Sequence, residues 1–135
     1  MTIGSASVVF YANGYANRSS RLIKENIRLI DEDKIKKILE LNPVYFNYKK
    51  GFGPQTTMPG LIAEEVEPYF PDTLIVPEGA RSDKIVYDEH GGPLVKSINY
   101  TGFIPYLIKL AQMQQKQIDD LNARLKAYEN LNKCD

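Results

Sequence analysis

The sequence predicts an α+β fold: a small domain of short helices and strands, followed by a long C-terminal helix of coiled-coil type. Three observations lead there. The chain has 135 residues, 43% of them hydrophobic and 25% charged, which suits one globular domain. Up to about residue 100, short apolar runs alternate with turns rich in Gly and Pro. Beyond Gly102 there is no further glycine and only one proline, Pro105, while apolar residues recur with helical spacing.

Residues 5–12, SASVVFYA, combine β-branched and aromatic side chains and read as a strand, and Asn13-Gly14 is a turn signal. Residues 1–18 are too short to hold a core and read as the end of a larger upstream element. In residues 31–41, Asp31 or Asp33 can cap a helix whose apolar stripe is Ile35, Ile38, Leu39 and Leu41, with Pro43 ending it. VYFNYKK from Val44 is a short aromatic strand, and GFGPQTTMPG after it is a loop. LIAEEVEPYFP from Leu61 is a short helix that stops at Pro68 or Pro71. TLIVPE and DKIVYDEHGGPLVKSINY supply strands joined by a turn at His90-Gly91-Gly92-Pro93. The division expected is a leader over 1–18, an α+β domain over 19–100 and a helix over 101–135.

That helix carries a heptad seam of nearly four repeats. Ile104, Ala111, Ile118 and Leu125 take the a positions, and Leu107, Gln114, Leu121 and Tyr128 the d positions. A helix over 104–131 spans about 42 Å at 1.5 Å per residue. A domain of this size has little surface to bury so long a stripe. The flanks are polar (Gln112, Gln115, Lys116, Asp119, Asp120, Arg124), so packing against copies of itself is favoured over an amphipathic lid on its own domain. The mixed a and d residues leave the copy number open.

Composition excludes several classes. The 17 basic and 17 acidic residues cancel, which gives no bulk attraction to nucleic acid or anionic lipid. No apolar run reaches the roughly 18 residues of a membrane span, and no signal-peptide pattern opens the chain. One cysteine, Cys134, and one histidine, His90, supply neither a disulfide nor the usual zinc constellation. GFGPQTTMPG lacks the spacing and lysine of a phosphate loop. No cofactor or metal is expected. Glu64, Glu65 and Glu67 read as a solvated helix face.

The chemically suggestive stretch is YANRSSRLIKENIRLIDED. A serine hydroxyl needs a base to become a nucleophile. A lysine is a base only when burial or neighbouring cations lower its pKa. Arg18, Arg21 and Arg28 are cationic neighbours of Lys24 in the sequence, and Leu22, Ile23 and Ile27 are sources of desolvation. Ser19 and Lys24 stand five positions apart, a spacing that shares a face in neither a regular helix nor a strand. They can meet only if the chain turns between them. On spacing alone, two solvated surface side chains are the simpler reading.

SSRLIKENIRLID resembles the start of the peptidase S74 family, the intramolecular chaperone auto-processing domains at the C-termini of phage tail spikes, tail fibres and neck appendages. Its members typically read Ser-Asp-x-Arg-x-Lys-x-Asn-Ile here. Ser19, Lys24 and Asn26-Ile27 take the matching positions, Ser20 stands where Asp is common, and the arginine lies one place early. The doubled serine offers two candidates, and the lysine spacing favours Ser19. KIKKILELNPVYFNYK, GLIAEEVEPYFPDTLIV and SINYTGFIPYLIKLAQMQQKQIDDL resemble further family blocks in the right order, so the resemblance runs from about Ser19 to about Leu125.

The resemblance implies a homotrimer that folds the stalk preceding it in the same polypeptide and then cuts itself off, a serine endopeptidase acting once. The bond would be Arg18–Ser19, with Ser19 as nucleophile, Lys24 as base and then acid, and Asn26 as a candidate supporting residue. Folding would take place in the host cytoplasm during phage assembly, with the stalk going to the virion and the cut domain released. The alternative is a trimerisation or adhesion module of the same fold that does not cut. The family's third setting is a membrane-bound eukaryotic transcription factor freed by cleavage. The stalk-like leader favours the phage setting.

Overall fold

The computed structural model describes residues 8–11 and 14–133. The fold is α+β, with eight short strands among the described residues and one long C-terminal helix. Among these residues, strand pairing is antiparallel and two-stranded throughout. Strand β1 (Val8–Tyr11) pairs with β2 (Gly14–Asn17), opposing Val8 to Asn17 and Tyr11 to Gly14. Strand β1 falls within the expected strand over 5–12, whose ends lie outside the described residues, and β2 follows the Asn13-Gly14 signal and pairs back on β1.

Helix α1 (Glu32–Lys36) starts after Asp31, with Glu32 and Asp33 in its first turn and Lys34 and Lys36 in its last, the arrangement a helix dipole favours. A 3-10 turn, Lys37–Glu40, completes the predicted helix. Ile35 is fully buried and Ile38 and Leu41 are half-buried, but Leu39 is exposed. The tighter 3-10 winding rotates Leu39 away from the stripe.

Strand β3 (Val44–Phe46) pairs with β4 (Met58–Gly60). The sequence offered Met58–Gly60 as loop. Pro59 cannot donate to a ladder, but a two-stranded ribbon leaves one side of every strand unpaired, and that is where a proline is tolerated. Gly60 is needed there. A Cβ at this position would meet Phe46 Cε1 at 2.6 Å and the Tyr100 hydroxyl at 2.9 Å. That hydroxyl accepts a hydrogen bond from the Leu61 N–H at 3.0 Å.

Helix α2 (Ala63–Val66) leads through Phe70 into a 3-10 turn at Pro71–Thr73. Strand β5 (Leu74–Ile75) then pairs with β8 (Ser97–Ile98), while β6 (Val86–Tyr87) pairs with β7 (Pro93–Leu94). Asp88 Oδ1 closes the β6–β7 turn by accepting from the N–H groups of His90 at 2.8 Å and Gly92 at 2.7 Å. His90 itself is exposed.

Val66, Phe70 and Phe103 form the core, flanked by Ile38, Leu41, Leu61, Leu74, Ile98 and Tyr106. The Phe70 ring lies 5.5 Å from that of Phe103, edge to face, and 5.1 Å from that of Tyr106. These contacts root α3 (Ile104–Asn132), whose Pro105 falls in the first turn, where no amide donor is missed. Its 29 residues span about 44 Å at 1.5 Å per residue. Tyr106, Lys109, Leu110 and Met113 are half-buried along one face, where α3 packs on α1. The seam lies on another face. All eight of its residues are exposed, from 49% at Ile118 to 63% at Tyr128 among the larger apolar ones. The helix therefore does not use the heptad stripe as a lid on its own domain.

A polar clasp ties α1, the Pro71–Thr73 turn and α3 together. Lys34 Nζ donates to Asp72 Oδ1 at 3.0 Å, and the Tyr106 hydroxyl donates to Asp72 Oδ2. Lys34 Nζ also sits 5.0 Å from the Phe70 ring centre. Burial pushes the Asp72 carboxyl up. The hydrogen bonds from Tyr106, Lys34 and its own backbone, with the Lys34 charge, outweigh this and hold it below 3.8. Burial, then the hydrogen bond to Asp72, then its charge push Tyr106 up to about 12.

The two shifts predict a two-sided loss of stability. The Asp72 contribution is complete above its unfolded value of 3.8 and is lost as pH falls through the lower folded value. The Tyr106 contribution is complete below 10.0 and is lost as pH rises to about 12. Thermal unfolding across pH should show both limbs. In Asp72→Asn the acid limb should flatten, and the alkaline limb should shrink but persist, because burial alone still acts on Tyr106. Gly60→Ala should lower stability by about 1–3 kcal/mol, read by denaturant titration.

Candidate active site

After β2 the chain runs through Arg18 and Ser19 on the surface, and residues 16–29 are all exposed. Ser20 is extended, at φ −67° and ψ 140°, and caps a single 3-10 turn over Arg21–Ile23. Its Oγ accepts from the Leu22 N–H at 3.1 Å, and its carbonyl accepts from the Ile23 N–H at 3.2 Å. The Arg21 carbonyl accepts from the Lys24 N–H at 3.4 Å, after which Lys24 is extended again. This is the turn that the five-residue spacing demanded. It brings Lys24 Nζ to 2.5 Å from Ser19 Oγ.

The turn also gives the two serines different partners. Ser19 Oγ is the one that Lys24 reaches, and Ser20 Oγ is engaged with the backbone. In the contact the lysine is the donor. For Lys24 to act as a base, proton flow must reverse, which calls for burial or cationic neighbours. The single chain does not bury the pair. Leu22 is 94% and Ile23 64% exposed, and Ile27 is exposed as well, so none of them shields Lys24. The arginines at 18, 21 and 28 are equally exposed.

Asn26 has φ +54°, the left-handed region, which asparagine adopts more readily than most residues. Its side chain makes no hydrogen bond among the described residues. Beyond it, residues 26–31 border a groove of about 710 Å³ whose floor is the clasp of Lys34, Asp72 and Tyr106. The clasp was not legible as a unit, because its three members lie far apart in the chain. The capping role of Ser20 was missed as well, although a serine just before a turn is a cap signal.

Of the acidic helix residues, Glu64 and Glu65 are exposed and Glu67 pairs with Lys96 at 2.7 Å, not with Lys24 or an arginine. Among the described residues no group of three or more His, Cys, Asp or Glu side chains could hold a metal ion, and no helix is long and apolar enough to cross a membrane. Cys134 lies outside the described residues.

A family model, Peptidase_S74, described as chaperone of endosialidase, matches residues 19–75. Residues 19–75 are thus similar to a chaperone-of-endosialidase segment. It begins at Ser19, the residue that Lys24 contacts, and runs through α1, β3, β4 and α2 to the end of β5. The match supports a chaperone role, and the matched family's name places that family among peptidases. No curated protein matches the chain.

Proposed function

We propose that this chain is an intramolecular chaperone that associates as a homotrimer through α3, folds the stalk preceding it, and then cuts its own Arg18–Ser19 bond. The observation that supports this reading is the 2.5 Å contact between Lys24 Nζ and Ser19 Oγ at the first residue of the family match.

The chemistry is intramolecular. Lys24, as the free amine, takes the proton of Ser19 Oγ. The oxygen adds to the Arg18 carbonyl carbon through a five-membered ring, which places the reactants without a diffusional step. The Arg18–Ser19 C–N bond breaks as Lys24 returns the proton to the leaving nitrogen. Arg18 is then an ester on Ser19 Oγ. Water hydrolyses it, leaving a carboxylate at Arg18 and a free hydroxyl and amine at Ser19. One turnover ends the reaction, because the substrate bond is gone.

The same exposure supports a link to assembly. The pair and the seam are both open to solvent in one chain, and neighbouring chains are the nearest source of cover. A fibrous stalk rich in non-local pairings nucleates poorly, and a helical bundle at its end raises the local concentration of its chains. A cut made after folding removes the element that brought the chains together and leaves the stalk kinetically trapped. A second reading, a trimerisation module that never cuts, draws on that exposure too, since an uncovered lysine is a poor base.

Intact-mass measurement over time decides between them. The wild type should lose residues 1–18 and expose Ser19 as a new N-terminus, while Ser19→Ala and Lys24→Ala stay whole. A wild type that stays whole while associated supports the non-cutting module. Asn26→Gly, which keeps the left-handed backbone, should cut within about two-fold of wild type; a loss of about a hundred-fold would instead assign the Asn26 amide to stabilising the oxyanion.

A further inference from the structure

Among the described residues, no other element makes a hydrogen bond or ion pair to residues 18–25. Every one of them is exposed, and Leu22, the apolar residue at the middle of the turn, packs on nothing that shields it. The hydrogen bonds that shape the segment are all its own. Two are backbone to backbone, from Ile23 to Ser20 and from Lys24 to Arg21, and at 3.2 and 3.4 Å they are long. One is the Lys24–Ser19 contact itself. The fourth is the Ser20 Oγ acceptor of the Leu22 N–H at 3.1 Å, the one side-chain bond to the turn's backbone among the described residues. A short 3-10 turn without packing has little intrinsic stability. Its population therefore depends strongly on the cap.

We propose that Ser20 is a positioning residue: its hydroxyl caps the Arg21–Ile23 turn and thereby sets the fraction of chains in which Lys24 reaches Ser19. Ser20 touches neither the scissile carbonyl nor the lysine amine and acts only through the turn. This rests on the reading of Ser19 and Lys24 as the cutting pair, but the geometric part stands apart from it. The requirement is a short side-chain acceptor at the cap position. Asp and Asn meet it at least as well as Ser, and Ala does not.

The test uses the full chain with Ser20→Ala, Ser20→Asp and Ser20→Asn. The first readout is the first-order rate of loss of residues 1–18 across pH. Ser20→Ala should be roughly five-fold slower at every pH, the population change expected when a cap is removed, with the pH of half-maximal rate and the thermal midpoint unchanged. Ser20→Asp and Ser20→Asn should restore the rate to within about two-fold of wild type. A Ser20→Ala rate equal to wild type, or Asp and Asn variants as slow as Ala, overturns the proposal.

The second readout needs no cleavage. Nuclear Overhauser contacts between the Ser19 Hβ and Lys24 Hε protons should be present in the wild type and in Ser20→Asp and much weaker in Ser20→Ala. If no variant cuts but this pattern holds, the cutting function fails and the positioning role stands. If the contacts persist undiminished in Ser20→Ala, the positioning role fails whatever the cleavage result.

Discussion

The packing of Phe70 against Phe103 and Tyr106 is the interaction on which the rest of the structure depends. Few side chains are fully buried among the described residues, and Phe70 is the largest of them. Its ring joins the end of α2 to the root of α3, and the clasp of Lys34, Asp72 and Tyr106 seals the same junction from the solvent side. This fixes which face of α3 meets the domain. Once Tyr106, Leu110 and Met113 turn inward, the heptad stripe is left pointing elsewhere. The outward seam is thus a consequence of the core.

Apolar side chains stand exposed in two places, along the seam and at Leu22, Ile23, Ile27 and Leu29. The two uncovered regions are the two that matter for the proposed activity. One would bring chains together, and the other carries a serine and a lysine already in contact but still solvated. Self-association would act on the second through the cover it supplies, without needing to move the pair.

Much of this was legible in the sequence, for identifiable reasons. The long helix was, because glycine vanishes after Gly102 and the apolar period is sustained over several turns. Ile35, Ile38 and Leu41 fell on the buried stripe, but Leu39 did not, because apolar spacing cannot reveal where an α turn tightens into a 3-10 turn. Met58–Gly60 was missed as a strand because its partner, Val44–Phe46, is what makes it one, and because proline argues locally for loop. At the site, the family resemblance pointed to Ser19 and Lys24, while their spacing gave no reason for them to meet. The reason is one capped turn, and Ser20 appeared only as a rival nucleophile. The Asp72 clasp depends on three distant positions converging, which no local pattern encodes.

The central claim is that one chain holds the pair in contact and assembly makes it reactive. The most direct measurement pairs sedimentation with intact mass on Leu121→Asp, which puts a charge at a d position of the seam. The account predicts a folded monomer, with the far-UV and thermal signature of its domain intact, that keeps residues 1–18 while the associated wild type loses them. A folded, monomeric Leu121→Asp that cuts at the wild-type rate would contradict it.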